Sequence, residues 1–200
     1  MIRDQTIEAY LAELASSAAT PGGGAAAGLS GAQAAALMAM VCNLTKNNES
    51  AIGAICTQAE AAQDRFAALI DEDMAGFDAV MKVYKSPAET DNDKRDEALQ
   101  RALVQAAEAP LCMMETASTL IAPLAKLVTI GNRNLITDVG VAGILIGATI
   151  QTARLNVLIN LKSIKDAAVK RAMIERVDRV IALNPQVDAI IQQTQESIRS

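Results

Sequence analysis

Any proton transfer this chain performs falls to a carboxylate, Lys, Tyr or Cys, because its 200 residues include no histidine. That absence removes Ser-His-Asp and Cys-His nucleophile pairs, HExxH zinc sites and every histidine base. Among the carboxylates, Asp73 stands apart by its spacing. On a helical wheel with Ile70 at zero, Phe66, Met74, Phe77, Met81 and Tyr84 fall within about 40° and define a stripe expected to be buried. Asp73 lies at about -60°, inside the apolar arc, whereas Asp71 and Asp78 lie at about 100° and 80°, on its flank or beyond. A carboxylate on such a stripe is costly unless paired, hydrogen-bonded or neutral, and partial burial lifts its pKa toward the range useful for proton transfer. Periodicity alone leaves a catalytic carboxylate and a buried polar knot, or the rim of an interface, equally open.

A second polar anomaly runs through an otherwise apolar segment. With Asp138 at zero, Thr149, Thr152, Asn156 and Asn160 all fall within about 40°. Buried polar groups need partners, so this stripe is either an internal hydrogen-bond network or the wall of a polar pocket. The segment before it, Gly131-Asn132-Arg133-Asn134-Leu135-Ile136-Thr137, could offer backbone N–H groups to a ligand at a helix start. The Thr20-Pro21-Gly22-Gly23-Gly24 run could do the same, or could be a flexible turn opening a tightly packed helix. It is neither a Walker A loop, lacking Gly-Lys-Ser/Thr, nor a dinucleotide fingerprint, lacking a preceding strand.

The elements that must position these residues read as helices throughout. Residues 4–19 form an amphipathic pattern with Ile7, Tyr10, Leu11 and Leu14 on one stripe. From Ala25 to about Thr45, two ladders of small residues, Gly24-Gly28-Ala32 and Ala27-Gly31-Ala35, invite a close helix partner. A long helix is expected over Glu49 to Lys85, then a break at Ser86-Pro87 and a polar connection around Asp91 to Arg95. Helical periodicity resumes from residue 94 and runs to Ile130, with Pro110 at a first turn or kink and Gly131 as a C-terminal stop. Asp138 to Leu161 is apolar on all faces over Val139 to Ile150 and is expected to be the central buried helix. A last helix from about Ser163 is interrupted near Asn184-Pro185. No strand alternation of useful length occurs, so the expectation is one all-α domain over residues 1–200, a bundle of six or so helices.

Composition agrees. Apolar residues make up 51% and aromatics 2%, with no Trp, and alanine is about a fifth of the chain. Small unbranched side chains favour close-packed helices, while sandwiches and barrels lean on aromatic and β-branched residues. A net charge of -5 argues against nucleic acid, which needs a basic footprint. Cys42, Cys56 and Cys112 are odd in number and widely spaced, which reads as free thiols rather than a disulfide framework or zinc cluster. The segment Ala25–Thr45 is rich in Ala and Gly and interrupted by Ser30 and Gln33, so a membrane span is disfavoured. Met1 to Thr6 lacks the tracts of a secretory signal, and the expectation is a cytoplasmic protein.

Several of these motifs, taken in order, resemble the cyclodeaminase/cyclohydrolase family of folate enzymes: Leu14-Ala15-Ser16-Ser17 with Thr20-Pro21-Gly22-Gly23-Gly24, Met40-Val41-Cys42-Asn43-Leu44-Thr45, Asp71-Glu72-Asp73 with Phe77-Asp78-Ala79-Val80, Gly131-Asn132-Arg133-Asn134 with Asp138, and Asn156-Val157-Leu158-Ile159-Asn160-Leu161. Ala25 stands where Ser is common, Thr137 likewise, and Ser86-Pro87-Ala88 replaces a frequent Leu-Pro-Lys, with Lys82 or Lys85 available instead. The resemblance implies an all-helical domain that forms a homodimer, with a tetrahydrofolate derivative as substrate near the subunit interface and no separate cofactor or metal. It implies Asp73 as the acid/base that moves a proton between water and nitrogen in methenyltetrahydrofolate hydrolysis. It further implies Pro21, Gly22, Gly23, Gly24, Gly131, Asn132, Asp138, Asn156 and Asn160 as substrate-binding. Formiminotetrahydrofolate cyclodeamination is the alternative within the family. A non-catalytic helical protein, with a closed polar network and no cavity, is the rival from another class.

Overall fold

The computed structural model describes residues 4–47, 49–86 and 92–199, and all its regular elements there are helical. The helices are α1 (Ile7–Leu14), α2 (Gly23–Asn43), α3 (Glu49–Lys85), α4 (Asn92–Thr119), α5 (Ile121–Ile130), α6 (Ile136–Ser163), α7 (Ala167–Ile181) and α8 (Asn184–Arg199), with a 3-10 turn over Arg133–Leu135. The core is a four-helix ring in which α2 packs on α3, α3 on α4, α4 on α6 and α6 back on α2; α8 lies along the outside of α6.

The register of this ring is written in α3. Its buried positions include Ile52, Ile55, Ala59, Ala62, Phe66, Leu69, Gly76 and Val80, which follow an alternating three-four spacing if Asp73 is counted between Leu69 and Gly76. Such spacing keeps one seam turned toward neighbouring helices over ten turns. α2 answers with glycines on the facing side. A Cβ at Gly28 would meet Ile70, and one at Gly31 would lie 2.5 Å from the Phe66 ring. Opposite Asp73 stands Gly24. The two chains of contacts run in opposite directions, so α2 and α3 are antiparallel and approach closely because one of them has no side chains at the contact. The two ladders read from the sequence therefore merge into one face, Gly24-Gly28-Gly31, while Ala25, Ala27, Ala34 and Ala35 are buried too. A second glycine ladder, Gly140, Gly143 and Gly147 on α6, meets Thr194, Ile190 and Val187 of α8 in the same antiparallel way.

Four expectations are corrected. The first helix spans Ile7–Leu14 rather than residues 4–19, because Thr6 caps it by accepting from Ala9 N–H at 3.1 Å; of its apolar stripe only Tyr10 is buried. The segment before Gly131 breaks at Leu120, between α4 and α5, and not at Pro110, which sits inside α4. The count is eight α-helices among the described residues rather than about six. Finally, α6 is not buried all round. Val141, Ile144, Leu155, Leu158 and Ile159 are exposed, Leu155 by 67%, because α2, α4 and α8 cover three sides and leave the fourth open. The span Glu49–Lys85 and the Gly131 stop are as expected. The break at Pro87, the polar stretch from Asp91 and the N-terminal Met1 to Arg3 fall partly or wholly outside the described residues. By length and composition, Gly23–Asn43, Asp93–Ile130 and Arg133–Ser163 are each long and apolar enough to cross a membrane.

The glycine seam makes opposite predictions for two substitutions. Gly31→Ala forces Cβ against the Phe66 ring and should destabilise the protein by about 1–3 kcal/mol. Gly53→Ala, in α3 with nothing near its Cβ position, should stabilise by roughly 0.5–1 kcal/mol. Urea denaturation of the two variants beside the parent measures both.

Candidate active site

All four helices of the ring meet at one end. The start of α2 brings Gly23 and Gly24, α3 brings Asp73 and Gly76, α4 brings Ala106, and α6 brings Asn156 and Asn160. A Cβ at Gly23 would lie 3.6 Å from the Asn156 amide, and the neighbouring Gly24 is filled by the Asp73 carboxylate, so carboxylate and amide flank one glycine turn. Gly24 is therefore bare for a steric reason: any side chain there would occupy the space of the carboxylate. Pro21, after a cis Thr20–Pro21 bond, is buried beneath this turn, and Gly22 is the extended N-cap of α2. α2 has no side-chain cap and no acidic residue in its first turn, so its leading N–H groups remain open to a ligand's acceptors.

Asp73 is half-buried and, among the described residues, has neither a hydrogen bond nor a cationic partner. Burial alone pushes its carboxyl up from 3.8 to about 6. That is the value of a group able both to take and to return a proton near neutrality.

The polar stripe of α6 is neither a closed network between helices nor a ring of free donors. Thr149 and Thr152 donate to the carbonyls of Leu145 and Ala148, and Asn156 and Asn160 donate to those of Thr152 and Asn156, each four residues back. This ladder ties up the hydroxyls and one N–H of each amide along their own helix and leaves the amide oxygens as acceptors, with the second N–H of Asn156 still available. Asn160 makes one bond across the ring, donating to the Ala106 carbonyl at 3.4 Å. That carbonyl lies four residues before Pro110, whose missing N–H leaves it without its helical partner. Gly76 lets α4 come close at the same point, since a Cβ there would sit 3.0 Å from Ala106 Cα. Pro110 and Gly76 thus shape this end of the ring; a proline in mid-helix is the sequence signal for the first, and no motif marks the second.

The other expected site residues lie elsewhere in the same chain. Asp138 precedes Asn156 by eighteen positions on α6, about 27 Å of helix. Asn132 is committed to local structure: its N–H donates to Thr45 Oγ1 at 3.0 Å, its amide to the Leu44 carbonyl at 2.9 Å, and its oxygen accepts from Asn134 N–H at 3.1 Å. Gly131 caps α5 beside it. Both line a cavity of about 490 Å³ at the far end of α2, with Thr45, Lys46 and Arg133. The structure therefore joins Pro21, Gly22, Gly23, Gly24, Asp73, Asn156 and Asn160, and separates Gly131, Asn132 and Asp138 from them. The apolar stripe around Asp73 is corrected as well: Phe66 and Ile70 are buried, but Phe77 and Tyr84 are exposed, because α2 begins at Gly23 and covers α3 no further.

The raised carboxyl has a cost that can be measured. Between about pH 4 and 6 the folded protein holds the Asp73 proton more tightly than the unfolded chain, so this group's contribution is fully present below the unfolded pKa and is lost as pH rises through about 6. Asp73→Asn should accordingly stabilise the fold at pH 7.5, by on the order of 1–3 kcal/mol, with the gain closing at pH 4. Urea midpoints of parent and variant at the two pH values check this.

The sequence profile of the formiminotransferase-cyclodeaminase family matches residues 6–179. The chain is 36% identical over 209 aligned positions to the methenyltetrahydrofolate cyclohydrolase of Methylorubrum extorquens, covering 100% of this chain and 99% of that one. It is 32% identical over 183 positions to the formimidoyltransferase-cyclodeaminase of Sus scrofa, covering 88% of this chain and 34% of the pig protein, of which it spans about a third. The crystal structure of a formiminotetrahydrofolate cyclodeaminase from Thermotoga maritima superposes with a TM-score of 0.87 at 31% identity, covering 100% of this chain and 98% of that one. Since the profile match spans the glycine turn, the Asp73 helix and the α6 amides, the chain belongs to the formiminotransferase-cyclodeaminase family.

Proposed function

We propose that the protein is a methenyltetrahydrofolate cyclohydrolase, hydrolysing 5,10-methenyltetrahydrofolate to 10-formyltetrahydrofolate in one-carbon metabolism. The observation that carries the reading is Asp73, a carboxylate raised to about 6 with no partner among the described residues, set beside an open glycine turn. End-to-end similarity to a cyclohydrolase supports it.

The substrate's reacting carbon is part of an amidinium-like cation bridging N5 and N10. Ionised Asp73 stabilises that cation and accepts a proton from the attacking water as the C–O bond forms. The proton then passes to N5 as the C–N5 bond breaks, and the hydroxyl left on carbon releases its proton to give the formyl group. The carbon is already electrophilic, so these steps call on no metal or cofactor. The amide oxygens of Asn156 and Asn160 and the open amides at the start of α2 hold the pterin or the water, while a Lys farther along α3 takes the carboxylates of the glutamate tail.

The second reading is cyclodeamination, favoured by the Thermotoga maritima neighbour and by the pig relative. There Asp73 would protonate departing ammonia instead. Assay of the purified protein with both folates separates the two by product absorbance, and turnover of neither would leave the non-catalytic rival.

The same reading includes a homodimer built on the open side of α6. Val141, Ile144, Leu155, Leu158 and Ile159 form an uncovered apolar face with Asp138 toward one end and Lys162 at the other. Two copies docked antiparallel would bury this face and set the Asp138 end of each beside the Asn160 end of its mate. That arrangement gives Asp138, stranded within one chain, a place near the carboxylate site. We further read the protein as cytoplasmic and free of membrane or nucleic acid. In support, the apolar stretch containing α4 carries Glu108 and Glu115 mid-span, bridged by Arg176 of α7 at 2.7 and 2.8 Å. A bilayer would not receive that face.

Asp73→Asn should lower cyclohydrolase kcat more than tenfold, a loss above roughly 1.4 kcal/mol. In the parent, kcat/KM should fall as pH drops through about 6, because the free enzyme must carry an ionised acceptor for the water's proton. Steady-state rates from pH 5 to 8 test both. Leu155→Asp should yield monomers by sedimentation and lose activity with its helix content intact.

A further inference from the structure

Aromatic side chains are scarce in this protein, and their placement is uneven. There are two Phe and two Tyr. Phe66 and Tyr10 are buried in the core, while Phe77 is 37% and Tyr84 51% exposed. The exposed pair stands seven residues apart on α3, hence on one face, about 10 Å from one another along the axis. Ile70, seven residues earlier, belongs to the same face and is covered by Gly28 of α2. The cover ends where α2 begins, at Gly23 and Gly24 over Asp73. Phe77 and Tyr84 thus continue, uncovered, the surface that leads away from the carboxylate, the first of them one helical turn beyond it.

We propose that this shelf holds the p-aminobenzoyl arm of the folate. The proposal rests on the folate reading above and specifies which surface recognises the substrate's own aromatic ring. In that substrate the benzoyl ring is attached directly to N10, one bond from the reacting carbon. With the carbon at Asp73 and the pterin toward the glycine turn and Asn156, the ring comes to lie over Phe77, and the carboxamide and glutamate run on past Tyr84. Stacked or edge-on rings contribute beyond the area they bury, and exposing two such side chains to water is otherwise unfavourable. The chemistry of the shelf matches the order of the ligand: an acid for the cationic carbon, then apolar rings for the benzoyl group. Lys85, exposed one position beyond Tyr84, lies where the glutamate carboxylates emerge.

The test is steady-state kinetics of Phe77→Ala and Tyr84→Ala with 5,10-methenyltetrahydrofolate, with inhibition by free p-aminobenzoylglutamate. The expected result is a KM at least tenfold higher in Phe77→Ala and several-fold higher in Tyr84→Ala, with kcat within about threefold, and matching loss of inhibition by the fragment. Tyr84→Phe, which keeps the ring, should retain the parent KM, and Ile198→Ala, which removes an exposed apolar group elsewhere, should change nothing. A KM within twofold of the parent in both alanine variants overturns the proposal. So does dissociation of the oligomer with unchanged KM, which would make the shelf a subunit contact. If the parent turns over neither folate, the function reading fails instead. Direct binding of p-aminobenzoylglutamate by equilibrium dialysis, parent against Phe77→Ala, then decides the shelf by itself: equal affinity, or none in either, overturns it.

Discussion

One constraint organises this protein: a carboxylate occupies a position that the helix seam reserves for an apolar side chain. Between Leu69 and Gly76, the alternating three-four spacing of α3 calls for a hydrophobe, and Asp73 stands there. Among the described residues no cation or donor offsets the burial, so the carboxyl is held well above the ordinary carboxylate range. Much of the surrounding structure can be understood as accommodation. Gly24 is bare because the carboxylate fills its side-chain space, and Gly28 and Gly31 carry the same close approach down the helix pair. In a chain without histidine, burial of a carboxylate is a direct way to obtain a proton carrier poised near neutrality.

The second support comes from a defect in the opposite helix. Pro110 removes one N–H from α4 and so frees the Ala106 carbonyl, which faces the ring beside Gly76. Asn160 answers it from α6. A helix break is avoided because the proline lies where a neighbouring side chain supplies a donor. The polar residues below Asn160 need no such partners, since each threonine or asparagine bonds the carbonyl four residues back on its own helix. A polar stripe can therefore run through a packed bundle without a network between helices, and its unused amide oxygens remain available at the ring's open end.

Helices and the Asp73 anomaly were legible in the sequence because both depend on local periodicity. The limits of α3, the Gly131 stop and the all-α class followed from spacing and composition. What a single wheel could not report was where a neighbouring helix begins. Phe77 and Tyr84 share the phase of Ile70, yet only Ile70 is covered, because coverage depends on α2 starting at Gly23. The break at Leu120 rather than Pro110 was illegible for a similar reason: the orphaned carbonyl is rescued from another helix, and no local rule anticipates that. Likewise, α6 is apolar on all faces over Val139 to Ile150, which periodicity equates with burial, although among the described residues only three of its sides have neighbours.

That last mismatch bears on the candidate site itself. Sequence motifs placed Asp138, Asn132 and Asp73 in one group, whereas the helix lengths hold the first two near the opposite end of the bundle. Asn132 resolves without a ligand, since its three polar groups tie the α5–α6 connection to the end of α2. Asp138 does not resolve in this way. It lies in the first turn of α6, near one end of the uncovered apolar face, where a negative charge is favoured by the helix N-terminus but has no further structural task. An antiparallel copy would carry it across to the Asn160 end. On the proposed antiparallel pairing, the open side of α6 and the displaced carboxylate would be two consequences of one missing neighbour, and the ring of four helices would be the half of the site that a single chain builds.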